Sequence, residues 1–205
     1  MKKLILVLFF ISLLISVGCK PQQNIVEDYK DVSLDGFAVA IPTDWQEVEL
    51  PPEIADVVVD SEGSVTVVSY RDKSATAELA LIVEDVRRAF ELEGYTWEGW
   101  DKLNEEQSPT ETKKQYAQIV SDQILVKLWI SHNERMQEIR MFEIENRDAC
   151  EILFTAERED IPVNENFLFV FEEDKVGIVF IIVENVAWSN LQSCWPIIRD
   201  SARFE

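Results

Sequence analysis

Any chemistry in this chain would have to be done with three cysteines, one histidine and an excess of carboxylates. Cys19, Cys150 and Cys194 offer thiols for acylation, disulfide formation or metal binding, but His132 is the only imidazole. One histidine without a second histidine or a closely spaced cysteine pair excludes the common zinc spacings. His132-Asn133-Glu134 reads as a solvated hairpin turn, and a Ser–His–Asp triad would have to recruit that same residue. No Gly-x-Ser-x-Gly elbow is present. The acidic groups Glu172-Glu173-Asp174 and Glu157/Glu159/Asp160 lack the alternating oxygen ligands and following glycine of a calcium loop. None of the six glycines lies in a phosphate-binding array, so nucleotide binding has no support. Carboxylate pairs suited to glycosidic chemistry remain open, because a chain this acidic contains many. The expected metal and cofactor complement is therefore none. A different chemistry is offered by Tyr95, Trp97 and Trp100, which lie within six positions around Gly99. Such a cluster either grips a partner or ligand, or fills core.

One of the thiols has a distinctive setting. Lys2 and Lys3 precede Leu4–Val17, an apolar run broken only by Ser12 and Ser16, and Gly18 sits directly before Cys19. The run suits a signal-peptide core but is short of the roughly 20 residues a spanning helix needs. Ile15-Ser16-Val17-Gly18-Cys19 resembles the lipobox of bacterial lipoproteins, although Ser16 stands where Leu, Val or Ile is usual. The resemblance implies cleavage before Cys19 and a diacylglyceryl, palmitate-type anchor on its thiol. Lys20–Val26 then reads as a short polar tether. Lys20 is not the aspartate that retains enterobacterial lipoproteins in the inner membrane, which points to the outer membrane where the cell has one.

Charge narrows the partners. The chain holds 39 Asp+Glu against 19 Lys+Arg, a formal net of −20, and losing Lys2 and Lys3 with the leader takes this to −22. So negative a surface repels phosphate backbones and anionic headgroups, so nucleic acid is disfavoured and membrane attachment would rest on acyl chains. Cys150 and Cys194 are an even pair in a chain expected to leave the cytoplasm. They fit either a disulfide or two small buried hydrophobes.

The elements that must position these groups follow from pattern. Tyr29–Leu34 and Phe37–Ile41 predict a hairpin about Asp35-Gly36, ended by Pro42. Gln46–Leu50, Val57–Val59 and Val65–Tyr70 are further strand candidates. Leu79, Ile82, Val83, Val86, Ala89 and Phe90 make one helical stripe, predicting a helix over Ala75–Glu93 with Ser74 as N-cap and Gly94 beyond its end. Asn104–Lys114 reads as loop or weak helix. Gln123–Ser131 alternates like a strand, and Met136–Ile144 returns as another. Cys150–Ala156 fits strand or short helix. Phe167–Phe171 and Val176–Val183 are apolar on both faces, the mark of strands inside a sheet covered on each side. Leu191, Cys194, Trp195, Ile198 and Ala202 predict a helix from about Asn190 to Arg203, with Ser189 and Gln192 as capping box and Pro196 as a complication.

Gly36-Phe37-Ala38-Val39-Ala40-Ile41-Pro42-Thr43-Asp44-Trp45 resembles the opening of PsbP-like domains, and Ile197-Ile198-Arg199-Asp200-Ser201-Ala202-Arg203-Phe204 resembles their ending. The resemblance covers nearly all of Tyr29–Glu205. It implies one α/β/α sandwich with a mostly antiparallel sheet. It also implies a non-catalytic role, since relatives include the extrinsic photosystem subunit, DcrB-type envelope lipoproteins and a Ran-binding factor.

The reading is a leader over residues 1–18, a tether over 19–28 and a single domain over 29–205. It describes a lipid-anchored cell-envelope protein with a binding or assembly domain for an unidentified protein or small-molecule partner. The alternatives are a surface-exposed adhesin that touches a host and, further off, a carboxylate-dependent hydrolase.

Overall fold

Asp35 and Gly36 both take positive φ, 47° and 82°. That backbone closes a two-residue hairpin between β1 (Tyr29–Leu34) and β2 (Phe37–Pro42). The computed structural model describes residues 28–50, 61–104, 106–128 and 132–205. The predicted leader, Cys19, the predicted tether up to residue 27 and the Val57–Val59 strand candidate lie outside the described residues.

Ten strands form two sheets among the described residues, all paired antiparallel. The large sheet adds β3 (Gln46–Val48), β4 (Val65–Arg71), β5 (Ala77–Asp85), β6 (His132–Ile144), β7 (Arg147–Arg158), β8 (Ile161–Phe171) and β9 (Lys175–Glu184), in the order β3-β4-β5-β9-β8-β7-β6. The small sheet is β1-β2-β10, where β10 is Arg203–Phe204. Helix α1 (Val86–Leu92), α2 (Trp100–Leu103) and α3 (Pro109–Leu128) supply residues to one face of the large sheet. The small sheet and α4 (Trp188–Ser201) cover the other. This is the expected mixed α/β sandwich with an antiparallel centre.

Alternation along the central strands sorts the core into two layers. Leu79, Leu81, Leu168, Val170, Val179 and Ile181 pack toward β2 and α4. Ile152, Phe167, Phe169, Ile178 and Phe180 pack toward the three other helices. β8 and β9 are buried on both faces, as their continuous apolar runs predict.

Several expectations are corrected. Ala77–Asp85 is a strand, not the first half of a helix over Ala75–Glu93, because Leu79–Val83 is apolar at every position and must be buried on both faces between β4 and β9. The helix starts only at Val86, capped by Asp85, whose carboxylate accepts from the Arg88 N–H at 2.8 Å. Ser74 instead hydrogen-bonds the Asp72 carboxylate in the preceding turn, and Gly94 does follow the helix end at φ 82°.

Gln123–Leu128, predicted as the start of a strand, is the end of α3; residues 129–131 lie outside the described residues. That helix begins where Ser108 caps the Glu111 N–H (3.3 Å) ahead of Pro109. Tyr116, Ala117, Val120, Ile124 and Leu125 form its inward stripe. His132 opens strand β6, paired with Glu157, instead of standing in a turn. Cys150–Ala156 lies wholly in strand β7.

α4 starts two residues early, so Ser189 lies inside it and the Ser189–Gln192 box is not made. Pro196 is accommodated mid-helix on the exposed side, while the predicted stripe from Leu191 to Ala202 is fully buried. The far end of this helix is fastened by Ser201, whose hydroxyl accepts from the Ala40 N–H and donates to the Ile198 carbonyl, both at 2.8 Å.

The layers approach closely at Gly177 on β9, where a Cβ would overlap the Phe37 ring. Gly177→Ala is expected to destabilise the fold by about 1–3 kcal/mol through overpacking. Urea unfolding should show a lower midpoint with an unchanged slope.

Candidate functional site

The aromatic cluster is built from the turn between β8 and β9 outward. Glu172 donates its N–H to the Lys175 carbonyl (2.9 Å), closing the turn, and Val86, the first residue of α1 after β5, donates its N–H to the Asp174 carbonyl (2.9 Å), fastening the helix to it. Trp100 lies over this turn with its indole N–H on the Glu172 carbonyl at 2.8 Å. Its ring contacts Phe171, Tyr116 and Trp97 edge-on, with centroids 5.1–5.2 Å apart, and Lys113 stands 6.0 Å above it. Trp97 leans edge-on against Phe90 at 5.1 Å, and Tyr95 against the same ring at 6.5 Å.

The three sequence-singled aromatics therefore have different fates. Trp100 is 6% exposed and belongs to the core. Trp97 packs at the core's rim, with its indole nitrogen buried and lacking a hydrogen-bond acceptor among the described residues. Tyr95 is 67% exposed. Leu92 at the end of α1 (46%) and Leu103 at the end of α2 (39%) are also exposed, and sequence reasoning missed both. Each is the last residue of its helix, a place where hydropathy alone does not separate surface from core.

Cys150 and Cys194 are both buried and free. Cys150 belongs to the layer beneath α3, Cys194 to the layer beneath β2, so the sheet lies between them and no disulfide joins them. Burial pushes the Cys150 thiol up to about 12, with Lys114 opposing and Glu151 adding to the rise. Neither thiol has the electropositive, accessible setting of a nucleophile.

Two other charged clusters stand outside the aromatic corner. Glu151, almost wholly buried, is held by the Arg140 guanidinium and by the Trp195 indole N–H, tying the sheet edge to α4. Beside it, Arg140 and Arg199 flank the Phe142 ring at 5.6 and 5.9 Å, over an open groove of about 360 Å³. At the opposite end of the sheet, Glu78 pairs with Arg71 (2.8 Å) and Arg158 (3.5 Å) in a groove of about 260 Å³. These carboxylates are paired to guanidiniums, an arrangement that suits structure better than proton transfer. Among the described residues no three His, Cys, Asp or Glu side chains converge on a metal position. No described helix is long and apolar enough to cross a membrane.

Two expectations follow from this geometry. Trp100→Ala should cost about 3–5 kcal/mol by opening a core cavity, whereas Tyr95→Ala should change stability by less than about 0.5 kcal/mol; thermal denaturation distinguishes them. The second concerns alkali. Burial, then the adjoining Glu84 carboxylate, raises the Tyr116 phenol well above its ordinary value, and burial also raises Tyr29 and Tyr70. A group raised in the folded state contributes stability that is complete below its unfolded pKa and lost as pH climbs beyond it. With Cys150 raised as well, Tm should hold near neutrality and fall above about pH 9–10. Tyr116→Phe should make that fall shallower.

No protein-family model matches the chain, and no curated protein matches it in sequence. Solved structures do resemble it. The solution structure of cyanobacterial PsbP (CyanoP) from Synechocystis aligns with a TM-score of 0.56 at 11% identity, covering 92% of this chain and 98% of that one. The Saccharomyces cerevisiae Ran-binding protein Mog1p aligns with a TM-score of 0.42 at 11% identity, covering 85% and 92%. LpqN, involved in cell-envelope biogenesis of Mycobacterium tuberculosis, aligns at 0.38 and 9% identity, covering 85% and 89%. The similarity to CyanoP covers nearly the whole of both chains, and this chain has the PsbP-like fold.

Proposed function

We propose that this is a lipid-anchored protein of the bacterial cell envelope whose PsbP-like domain binds or helps assemble a partner without transforming it. The observation that carries the reading is the position of Cys19, directly after Gly18 and an apolar run of signal-peptide length, and ten residues ahead of the first strand.

The geometry of entry supports it. The chain joins the described domain at Asp28, whose carbonyl accepts from the Thr43 N–H at 3.1 Å. Next to it, Lys30 bonds the Trp45 carbonyl, and Trp45 precedes a strand paired to the Arg71 end of β4. The aromatic corner is at the other end of the sheet, where Thr66 bonds Asp35 (2.7 Å) and Val86 meets the β8–β9 turn. A tether leaving from Asp28 would hold the Arg71 end toward the bilayer and turn the aromatic corner away from it. The charge balance supports attachment through acyl chains, since an acidic body gains nothing from anionic headgroups.

The test is Cys19→Ala in the full-length chain. The wild type should partition into detergent and membrane, with a diacylglyceryl modification on its N-terminal peptide by mass spectrometry. The variant should lose the modification and move to the aqueous phase. An unmodified wild-type terminus recovered entirely from the aqueous phase would overturn the reading.

A further inference from the structure

We propose that the corner formed by Leu92, Tyr95 and Leu103 docks a cationic amphipathic segment of a partner protein, one presenting Lys or Arg around an apolar stripe. This rests on the reading that the domain works by binding, and adds the chemistry of what it binds.

Three observations converge there. Leu92, Tyr95 and Leu103 are three large apolar side chains exposed within twelve residues, with the Tyr95 ring edge-on to Phe90 at the rim of the core. Solvated apolar groups gathered in this way mark interaction surfaces.

The same stretch carries Glu91, Glu93, Glu98, Asp101 and Glu106 among its described residues, against Lys102 alone. None of those five carboxylates has an ion-pair partner among the described residues. The nearby cations on α1 are spent elsewhere: Arg87 pairs with Asp174 at 3.0 Å, and Arg88 donates to the Glu62 carbonyl. Apolar groups set among unpaired acids select a partner that is apolar and positive.

The buried Trp97 indole N–H lacks an acceptor among the described residues, an arrangement that costs about 1–3 kcal/mol wherever it persists. Residues 95–99 lie outside any helix or strand, between the Tyr95 N–H, which donates to the Phe90 carbonyl (2.9 Å), and the Gly99 carbonyl, which accepts from the Lys102 N–H (3.2 Å). A docked backbone that shifts them slightly could offer the missing carbonyl. A lipid surface fits less well, because the acids would repel anionic headgroups and a tether at Asp28 would direct this corner away from the bilayer.

The test uses the full-length acylated protein in phosphatidylcholine nanodiscs, with empty nanodiscs as blank. The probe is a fluorescent amphipathic Lys/Leu peptide; Glu/Leu and Lys/Ser peptides of equal length are the controls. The Lys/Leu peptide should bind saturably and weaken as salt rises, and neither control should bind comparably. Leu92→Ser/Tyr95→Ser/Leu103→Ser, all at exposed positions, should weaken it roughly tenfold or more, while Val186→Ser at an exposed site elsewhere should not. Hydrogen exchange should place the protection within residues 90–104. Binding retained within about twofold by the triple variant, equal binding of the Glu/Leu peptide, or protection elsewhere would overturn the proposal. So would absence of saturable binding, or a preference for anionic vesicles over the peptide. Each of these leaves the Cys19 result untouched, so the two readings fail separately.

Discussion

The contact on which the rest of this molecule depends is the Phe37 ring against Gly177. A side chain of any size on that residue of β9 would meet the ring, so the central strand and the small sheet approach as closely as backbone and ring allow. Phe37 is itself sandwiched, with Phe204 of β10 at 5.1 Å on another side. The contact joins three parts of the chain that are distant in sequence: the first hairpin, the last strand and the centre of the large sheet. β10 is only two residues long and pairs with Ala38 and Phe37 alone, so its place depends on that ring being fixed. Once β2 is seated, Ser201 can reach the Ala40 N–H and fasten α4 across the same layer.

The opposite layer has a different organising residue. Trp100 belongs to a helix of one turn that could not persist alone; it is held by burial of the indole and by one hydrogen bond to the Glu172 carbonyl. Through Phe171 and Tyr116 it connects the β8–β9 turn to α3. Polar groups in the core are used in the same economical way. Glu151 would be costly in isolation, but a guanidinium and an indole N–H take its two oxygens, as a buried carboxylate requires. The net effect is a sheet covered on both faces and fastened at several points by single side chains.

The sequence exposes these features unevenly, for physical reasons. Phe167–Phe171 and Val176–Val183 are legible because a strand with no polar face can only be central. Leu79–Val83 carries the same signature, yet its apolar residues also fall on a 3.6-residue stripe that continues into the true helix at Val86. Two periods fitted one run, and the neighbouring strands decided between them. α3 was marked more plainly than its polar start suggested: Ser108-Pro109-Thr110-Glu111 has the residue types of a helix N-terminus in order. The fate of Cys150 and Cys194 could not be read locally. It depends on which face of β7 and of α4 turns inward, and that is set by pairing across the whole sheet. The aromatic triad shows the same limit, since Trp100 and Tyr95 differ in exposure through a tertiary contact with a turn more than seventy residues away.

Charge and attachment set how such a domain could work beside a membrane. From Cys19 to Asp28 the chain can span roughly 30 Å when extended, and β5 adds nine residues of sheet, about 27 Å. Under the proposed anchoring, the aromatic corner would stand several Debye lengths from the headgroups at physiological salt, where their potential is screened. What a partner meets there is then the domain's own field, set by Glu91, Glu93, Glu98, Asp101 and Glu106. The anchor would decide where the molecule stays, the net negative charge would keep the body upright and unaggregated, and recognition would be left to a few exposed apolar side chains held outward by a core they do not help to build.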